Sequence, residues 1–162
     1  MPSRLDSFRD DLTEVPDDAI VYRRVAWDRM GGRTSCVVGD TACLNANCFS
    51  DYPEDRAQEM GYPGRCMSVG VGTVLEEHGF GPEKMLEDFP EDGLALILAS
   101  DLRKLERANG EPCPQGLMLA PTDDEPWHGV VFDLSIGFKN KSVQKAIVRV
   151  SRWAIPLVRT TE

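Results

Sequence analysis

The run LALILAS, residues 94–100, constrains the fold more than any other stretch, being continuously apolar between Gly93 and Asp101. It is far shorter than the ~18 apolar residues that a membrane span needs. Its length and its flanking breakers are those of a buried strand. Such a strand needs neighbours, and the chain offers several. IVYRRV, residues 20–25, is β-rich and sets Val21 and Arg23 on one face and Ile20, Tyr22 and Arg24 on the other. RCMSVGVGTVLEE, residues 65–77, reads as a strand followed by a Gly-rich bend. GLMLA (116–120) and GVVFDL (129–134) add two more strands, with an acidic turn from Pro121 to Pro126 between them.

Helical signals are short and unevenly spaced. Leu5, Phe8, Leu12 and Val15 follow three- and four-residue steps, predicting a helix over 1–15 that Pro16 stops. Pro82 to Asp88 has Pro at a first helical position with acids nearby, both favourable there. Ser100 or Asp101 is placed to cap a helix through Leu102, Leu105 and Ala108, which Asn109-Gly110 ends. The cleanest pattern comes last. Asn140 or Ser142 caps a helix whose Val143, Ala146, Ile147 and Val150 form an apolar stripe. Trp153 to Val158 then returns as a strand, which Pro156 assigns to a sheet edge. Residues 27–63 show no period and are too long for an idle connection, so they form a functional loop region or hold short elements.

Strands broken by helices of unequal length, without a βαβ rhythm, predict an α+β fold with a mixed or mostly antiparallel sheet. A single domain over 1–162 is the default at this length. No repeat suggests a solenoid. The opening MPSRLDSFRDDLTEV lacks the basic flank and apolar stretch of a secretory signal. Five cysteines, an odd number at ordinary density, fit reduced thiols, and a cytoplasmic setting is expected. Cys36, Cys43, Cys48 and Cys66 are separated by six, four and seventeen residues, and only the middle spacing resembles a zinc knuckle. No metal is expected.

Charge is distributed asymmetrically. The chain carries a net −9, which argues against general attraction to nucleic acid or an anionic membrane. Yet between Asp133 and Glu162 there are six basic residues and no acid. Lys141, Lys145, Arg149 and Arg152 step by four, four and three, and so share one helix face. This is either a cationic ridge for a partner or a solvated face balancing the acidic body. With only Phe138 and Trp153 nearby to stack on bases, nucleic-acid reading is not expected.

Catalytic signatures are sparse. Arg23 and Arg24 interrupt an apolar strand; a guanidinium suits a bidentate clamp on phosphate or carboxylate. Facing opposite sides, at most one of them is expected to point into a cleft. His128 opens a strand just after Asp123, Asp124 and Glu125, where a carboxylate could orient it as a general base. His78 reads as a loop residue. Gly70 and Gly72, after Ser68, give a G-x-G without the third glycine of a dinucleotide fingerprint. No Walker lysine motif, G-x-S-x-G elbow or H-E-x-x-H is present.

PDDAIVYRRV (16–25), CMSV (66–69), WHGVVF (127–132) and KNKSVQKAIVRVSRWAIP (139–156) together resemble a family of small bacterial proteins. Its landmarks are a Tyr-Arg-Arg opening, a central Ser-Val, a later His and a Lys-Ser helix. That resemblance implies a bacterial setting and carries no assigned activity. A second resemblance is to ADP-ribosyltransferase-like domains, whose early strand carries Arg, middle strand Ser and later position Glu. Arg23, Ser68 and Glu125 occur in that order, with Asp123-x-Glu125 in place of the usual Glu-x-Glu.

Two functional expectations follow. The first is a soluble binding or adaptor protein acting with another bacterial protein in a defence or toxin-immunity setting. Arg24, Lys141, Lys145, Arg149 and Arg152 would be its binding residues, and no membrane or cofactor is involved. The alternative is an enzyme acting on NAD or another phosphate-bearing ligand through Arg23, Ser68 and His128.

Overall fold

A computed structural model describes residues 10–26, 37–38, 41–42 and 44–156. The strands are β1 (Thr13–Glu14), β2 (Ile20–Val25), β3 (Val37–Val38), β4 (Thr41–Ala42), β5 (Cys66–Val71), β6 (Gly93–Leu98), β7 (Gln115–Leu119), β8 (His128–Asp133) and β9 (Ser151–Ile155). The helices are α1 (Glu54–Glu59), α2 (Gly72–Glu77), α3 (Ala99–Arg103) and α4 (Lys141–Val150), with 3-10 turns at Ala46–Phe49 and Pro82–Leu86. Seven strands form one antiparallel sheet in the order β1-β7-β8-β5-β2-β6-β9, and β3 pairs with β4 apart from it. This is the expected α+β domain. No helix among the described residues is long and apolar enough to cross a membrane.

The alternation of each strand divides the interior in two. Val21, Val25, Met67, Val69, Ile97, Leu117 and Val131 pack with Leu102 of α3 and Val143, Ala146 and Ile147 of α4 in the larger core. Cys66, Ala120 and Val130 meet Ala57 and Tyr62 in a smaller one. Helix α4 forms as its pattern predicts. Asn140 Oδ1 accepts the Val143 N–H at 3.0 Å, which satisfies one of the orphan donors of the first turn. Strand β9, followed by Pro156, lies at the sheet edge.

Several local expectations need correction. Residues 1–9 lie outside the described residues, but Thr13–Glu14 is a strand paired with Leu119 and Met118, so no helix reaches residue 15. Two residues of edge pairing are too few to leave a period in the sequence. The Gly-rich bend after β5 is helix α2, beginning at Gly72 itself. Helix α3 starts at Ala99 without a side-chain cap and stops at Arg103. Arg152 is not on the C-terminal helix, because Ser151 turns extended at φ −101° and Arg152 pairs with Leu96 inside β9.

One irregularity in the sheet creates the site. Strand β2 pairs with β6 along its whole length, yet with β5 only at Val21↔Val71 and Tyr22↔Gly70. Beyond those pairs β2 and β5 part, and the segment after the Ala46–Phe49 turn enters the gap. The Tyr52 N–H donates to the Cys66 carbonyl at 2.7 Å. Arg23 spans the remainder, donating from Nε to the Cys48 carbonyl at 3.1 Å and from Nη1 to the Ser68 carbonyl at 2.9 Å. Carbonyls that a neighbouring strand would have paired are thus satisfied by a side chain and a loop.

Candidate active site

A cleft of about 440 Å³ opens where β2 and β5 separate. Arg23, Ser68 and His128, named together from sequence, all line it. Pairing of β5 with β8 brings the last two together. Ser68 sits opposite Val130 and Gly70 opposite His128, so Ser68 and His128 are diagonal neighbours on one face. Their side chains meet, with Ser68 Oγ 2.9 Å from His128 Nε2. His128 is 7% exposed and its ring stacks on Tyr62 at 5.9 Å between centroids. Its other nitrogen, Nδ1, is 2.8 Å from the Ala120 carbonyl. A carbonyl only accepts, so Nδ1 carries a proton, and in the neutral tautomer this selects, the Nε2 lone pair faces the Ser68 hydroxyl.

Tyr52 completes the chain, its hydroxyl 2.5 Å from Ser68 Oγ. With the serine proton directed at His128, Tyr52 is the donor of this bond. The hydrogen bonds therefore run from Tyr52 through Ser68 and His128 to the Ala120 carbonyl. Tyr52 falls in the aperiodic 27–63 stretch, just before helix α1 at Glu54–Glu59, and no sequence pattern singles it out.

Cationic and aromatic groups surround this chain. The Arg56 guanidinium lies over the Tyr52 ring at 5.1 Å and makes no ion pair among the described residues. Arg24 also lines the cleft, contrary to the expectation that at most one arginine would. That expectation assumed an unbroken sheet; once the β2–β5 ladder ends, both faces of β2 border the opening. Arg24 lies over Phe89 at 3.7 Å and pairs with Asp92 at 2.6 Å. Trp127 contributes another wall and is held edge-on by Phe80 at 5.7 Å. Gly70 has a packing role here, since a Cβ at that position would fall 2.3 Å from Sδ of Met85, another lining residue.

Two carboxylates reach the cleft. Glu125, the third residue of the transferase-like series, is exposed at its edge. Asp51 is buried and bound to Lys139. Burial lowers the proton affinity of the Lys139 ammonium despite that partner. Burial also pushes the Cys66 thiol up to about 12.

The other candidates lie elsewhere. Lys141, Lys145 and Arg149 are exposed on α4, and Arg152 on β9, away from the cleft. His78 ends α2, its Nδ1 bonded to the Val74 carbonyl at 2.9 Å. Among the described residues no three His, Cys, Asp or Glu side chains are arranged to hold a metal ion. Cys66 and Cys113 are buried free thiols and Cys48 is buried with its Sγ 3.5 Å from the Asn45 N–H, while Cys36 and Cys43 lie outside the described residues.

No protein-family model, no curated protein and no solved structure matches the chain.

Proposed function

We propose that this chain is an enzyme whose cleft takes a phosphate-bearing ligand of the nucleotide class, which includes NAD. The observation that carries the reading is the Tyr52–Ser68–His128–Ala120 hydrogen-bond chain at a solvent-reached cleft. A serine and a histidine buried merely for packing would have no need of an opening. Arg23, Arg24 and Arg56 line that opening in a chain of net charge −9, Arg23 bound to the Cys48 and Ser68 carbonyls, Arg24 paired with Asp92 and Arg56 exposed. Guanidiniums bind phosphate oxygens in bidentate fashion and retain their charge at every physiological pH. Tyr52, Phe89 and Trp127 add aromatic rings to the lining.

The reading is tested by thermal unfolding in the presence of NAD, ADP-ribose, mononucleotides and inorganic phosphate. A bound ligand at 100 times its Kd stabilises the folded chain by about 2.7 kcal/mol. Arg56→Ala, at an exposed position, should weaken that shift without lowering the unliganded melting temperature. A melt unmoved by every member of the panel overturns the reading.

A second reading, contact with a partner protein, is favoured by the basic face of α4. Lys141, Lys145 and Arg149 are exposed, Lys141 bonded to Asn47 and Arg149 to the Glu106 carbonyl, while the apolar stripe of the helix is buried. An acidic surface on another cytoplasmic protein would complement them, steering association more than setting its final strength.

A further inference from the structure

We propose that Ser68 is a nucleophile toward phosphorus, with His128 as its base, so that the cleft breaks a phosphoester or phosphoanhydride bond through a covalent phosphoseryl intermediate. This rests on the phosphate-ligand reading above and adds the reaction to it.

The sequence of β5 gives the first reason. Cys66, Met67, Val69 and Val71 are all buried apolar side chains, and Ser68 interrupts them as a half-exposed hydroxyl facing the cleft. The second reason is the direction of the hydrogen bonds. A serine hydroxyl is a poor nucleophile until a neighbouring base takes its proton. With Nδ1 holding a proton for the Ala120 carbonyl, Nε2 is the nitrogen that can take one, and it lies 2.9 Å from Ser68 Oγ, within the range for direct proton transfer. A base of this kind works best when a third group fixes its tautomer and plane. The Ala120 carbonyl does so at Nδ1, and Tyr62 holds the ring by stacking. The third reason is Tyr52, whose O–H points at the same oxygen from 2.5 Å and opposes the charge that develops on it.

The step balances without any redox partner. Ser68 Oγ attacks phosphorus and an Oγ–P bond forms, while the hydroxyl proton passes to His128 Nε2. The bond from phosphorus to the leaving oxygen breaks with its electron pair on that oxygen, and the imidazolium returns the proton there. Water then attacks the phosphoseryl group, giving its proton to His128. The Oγ–P bond breaks, Ser68 regains a proton and the phosphate product departs. Arg56, exposed and without an ion pair among the described residues, is the guanidinium placed to neutralise the equatorial oxygens during both steps.

The test uses the intact chain and a fluorophosphonate probe, in which fluoride is the leaving group and the oxygen–phosphorus adduct is stable. The expected result is one adduct per chain, mapped to Ser68 within the tryptic peptide 66–84, whose other hydroxyl is on Thr73. Ser68→Ala should abolish the label, and His128→Gln should slow it by at least ~100-fold, the lower bound for loss of a general base. Because His128→Gln could impair folding, the wild-type rate is also compared with that of the free peptide 66–84. Labelling of the chain no faster than of the peptide overturns the proposal, as does an adduct on any other residue. So does an unchanged rate in a folded His128→Gln protein. Nucleotide-induced stabilisation without labelling defeats the nucleophile alone. Labelling without any nucleotide-induced stabilisation defeats the ligand assignment and leaves the nucleophile standing.

Discussion

The ammonium of Lys139, with none of its side chain exposed, closes on the carboxylate of Asp51, 88 residues earlier and only 1% exposed. The Lys139 N–H donates to the second oxygen of the same carboxylate at 2.7 Å, and Nζ donates also to the Val131 carbonyl at 2.7 Å. This buried pair fastens the start of α4 to the residue beside Tyr52, and Tyr52 in turn is bonded through its N–H to Cys66. The loop hydroxyl that meets Ser68 is thus held from both sides.

Breaking that pair should be severe. Asp51→Asn or Lys139→Met each leaves one buried charge uncompensated, expected to cost about 3–5 kcal/mol. The double variant removes both charges and should cost less than the sum of the two, with a coupling of roughly 1–3 kcal/mol. Denaturant melts of the four proteins measure this; additive losses would show that the pair is not coupled.

Tyr52→Phe separates catalysis from folding. The ring stays beneath Arg56 and only the bond to Ser68 is lost, so stability should fall by about 1 kcal/mol. Phosphoester turnover, or the rate of fluorophosphonate labelling, should drop by roughly tenfold or more, the scale of a lost hydrogen bond to a developing charge. An unchanged rate in a folded Tyr52→Phe protein would remove Tyr52 from the mechanism.

Cys66 gives a pH prediction. Burial raises its folded-state pKa from 9.0 to about 12, so between those values the folded chain keeps a proton that the unfolded chain releases. Its contribution to stability is complete below pH 9 and is lost as pH climbs through 12. The slope approaches about 1.4 kcal/mol per pH unit within that window. Lys139, whose proton affinity is lowered, acts with the opposite sign below its ordinary value of 10.5, so the two are separated by comparison with Cys66→Ala. The wild-type chain should lose more stability than Cys66→Ala between pH 9 and 11. Parallel curves would refute this.

The basic face of α4 should matter little to folding. Replacing Lys141, Lys145 and Arg149 with Gln removes exposed charges worth about 0–1 kcal/mol each. The melting temperature should stay nearly constant. If a partner docks there, its association rate should fall and lose much of its dependence on salt. Surface-plasmon kinetics at two ionic strengths measure both effects, and rates that do not differ between the variants exclude α4 as the docking face.

How far the sequence disclosed this site depends on how local each signal is. The alternation in IVYRRV sets Val21 and Arg23 on one face of β2, and in the structure that face is the buried one. It could not show that the β2–β5 ladder ends after two pairs, which is what brings Arg24 to the cleft beside Arg23. In the sequence, Ser68 stands out through the order Arg23, Ser68, Glu125, and His128 as a strand-opening histidine after a run of acids. Their contact, however, depends on a β5–β8 register set by packing across 60 residues. Tyr52 has no such mark in the sequence. It is positioned by Asp51, Lys139 and Cys66, three residues whose proximity no periodicity encodes. The stripe of α4 was legible because all of its information lies within one helix.

The strand order also governs when the cleft can exist. Its floor needs β2, β5 and β8 side by side, yet these strands are made around residues 20, 66 and 128, and the clamp on Asp51 waits for Lys139. A chain emerging from the ribosome therefore completes β2 and β5 long before His128 arrives to meet Ser68. Until then the polar groups that border the cleft have no partner strand to hold them in place. Closing such distant pairings is slow compared with forming a local hairpin or helix. A nascent chain halted between residues 68 and 128 would have its serine but no base to activate it, so the chemistry proposed here would begin only after His128 has been made.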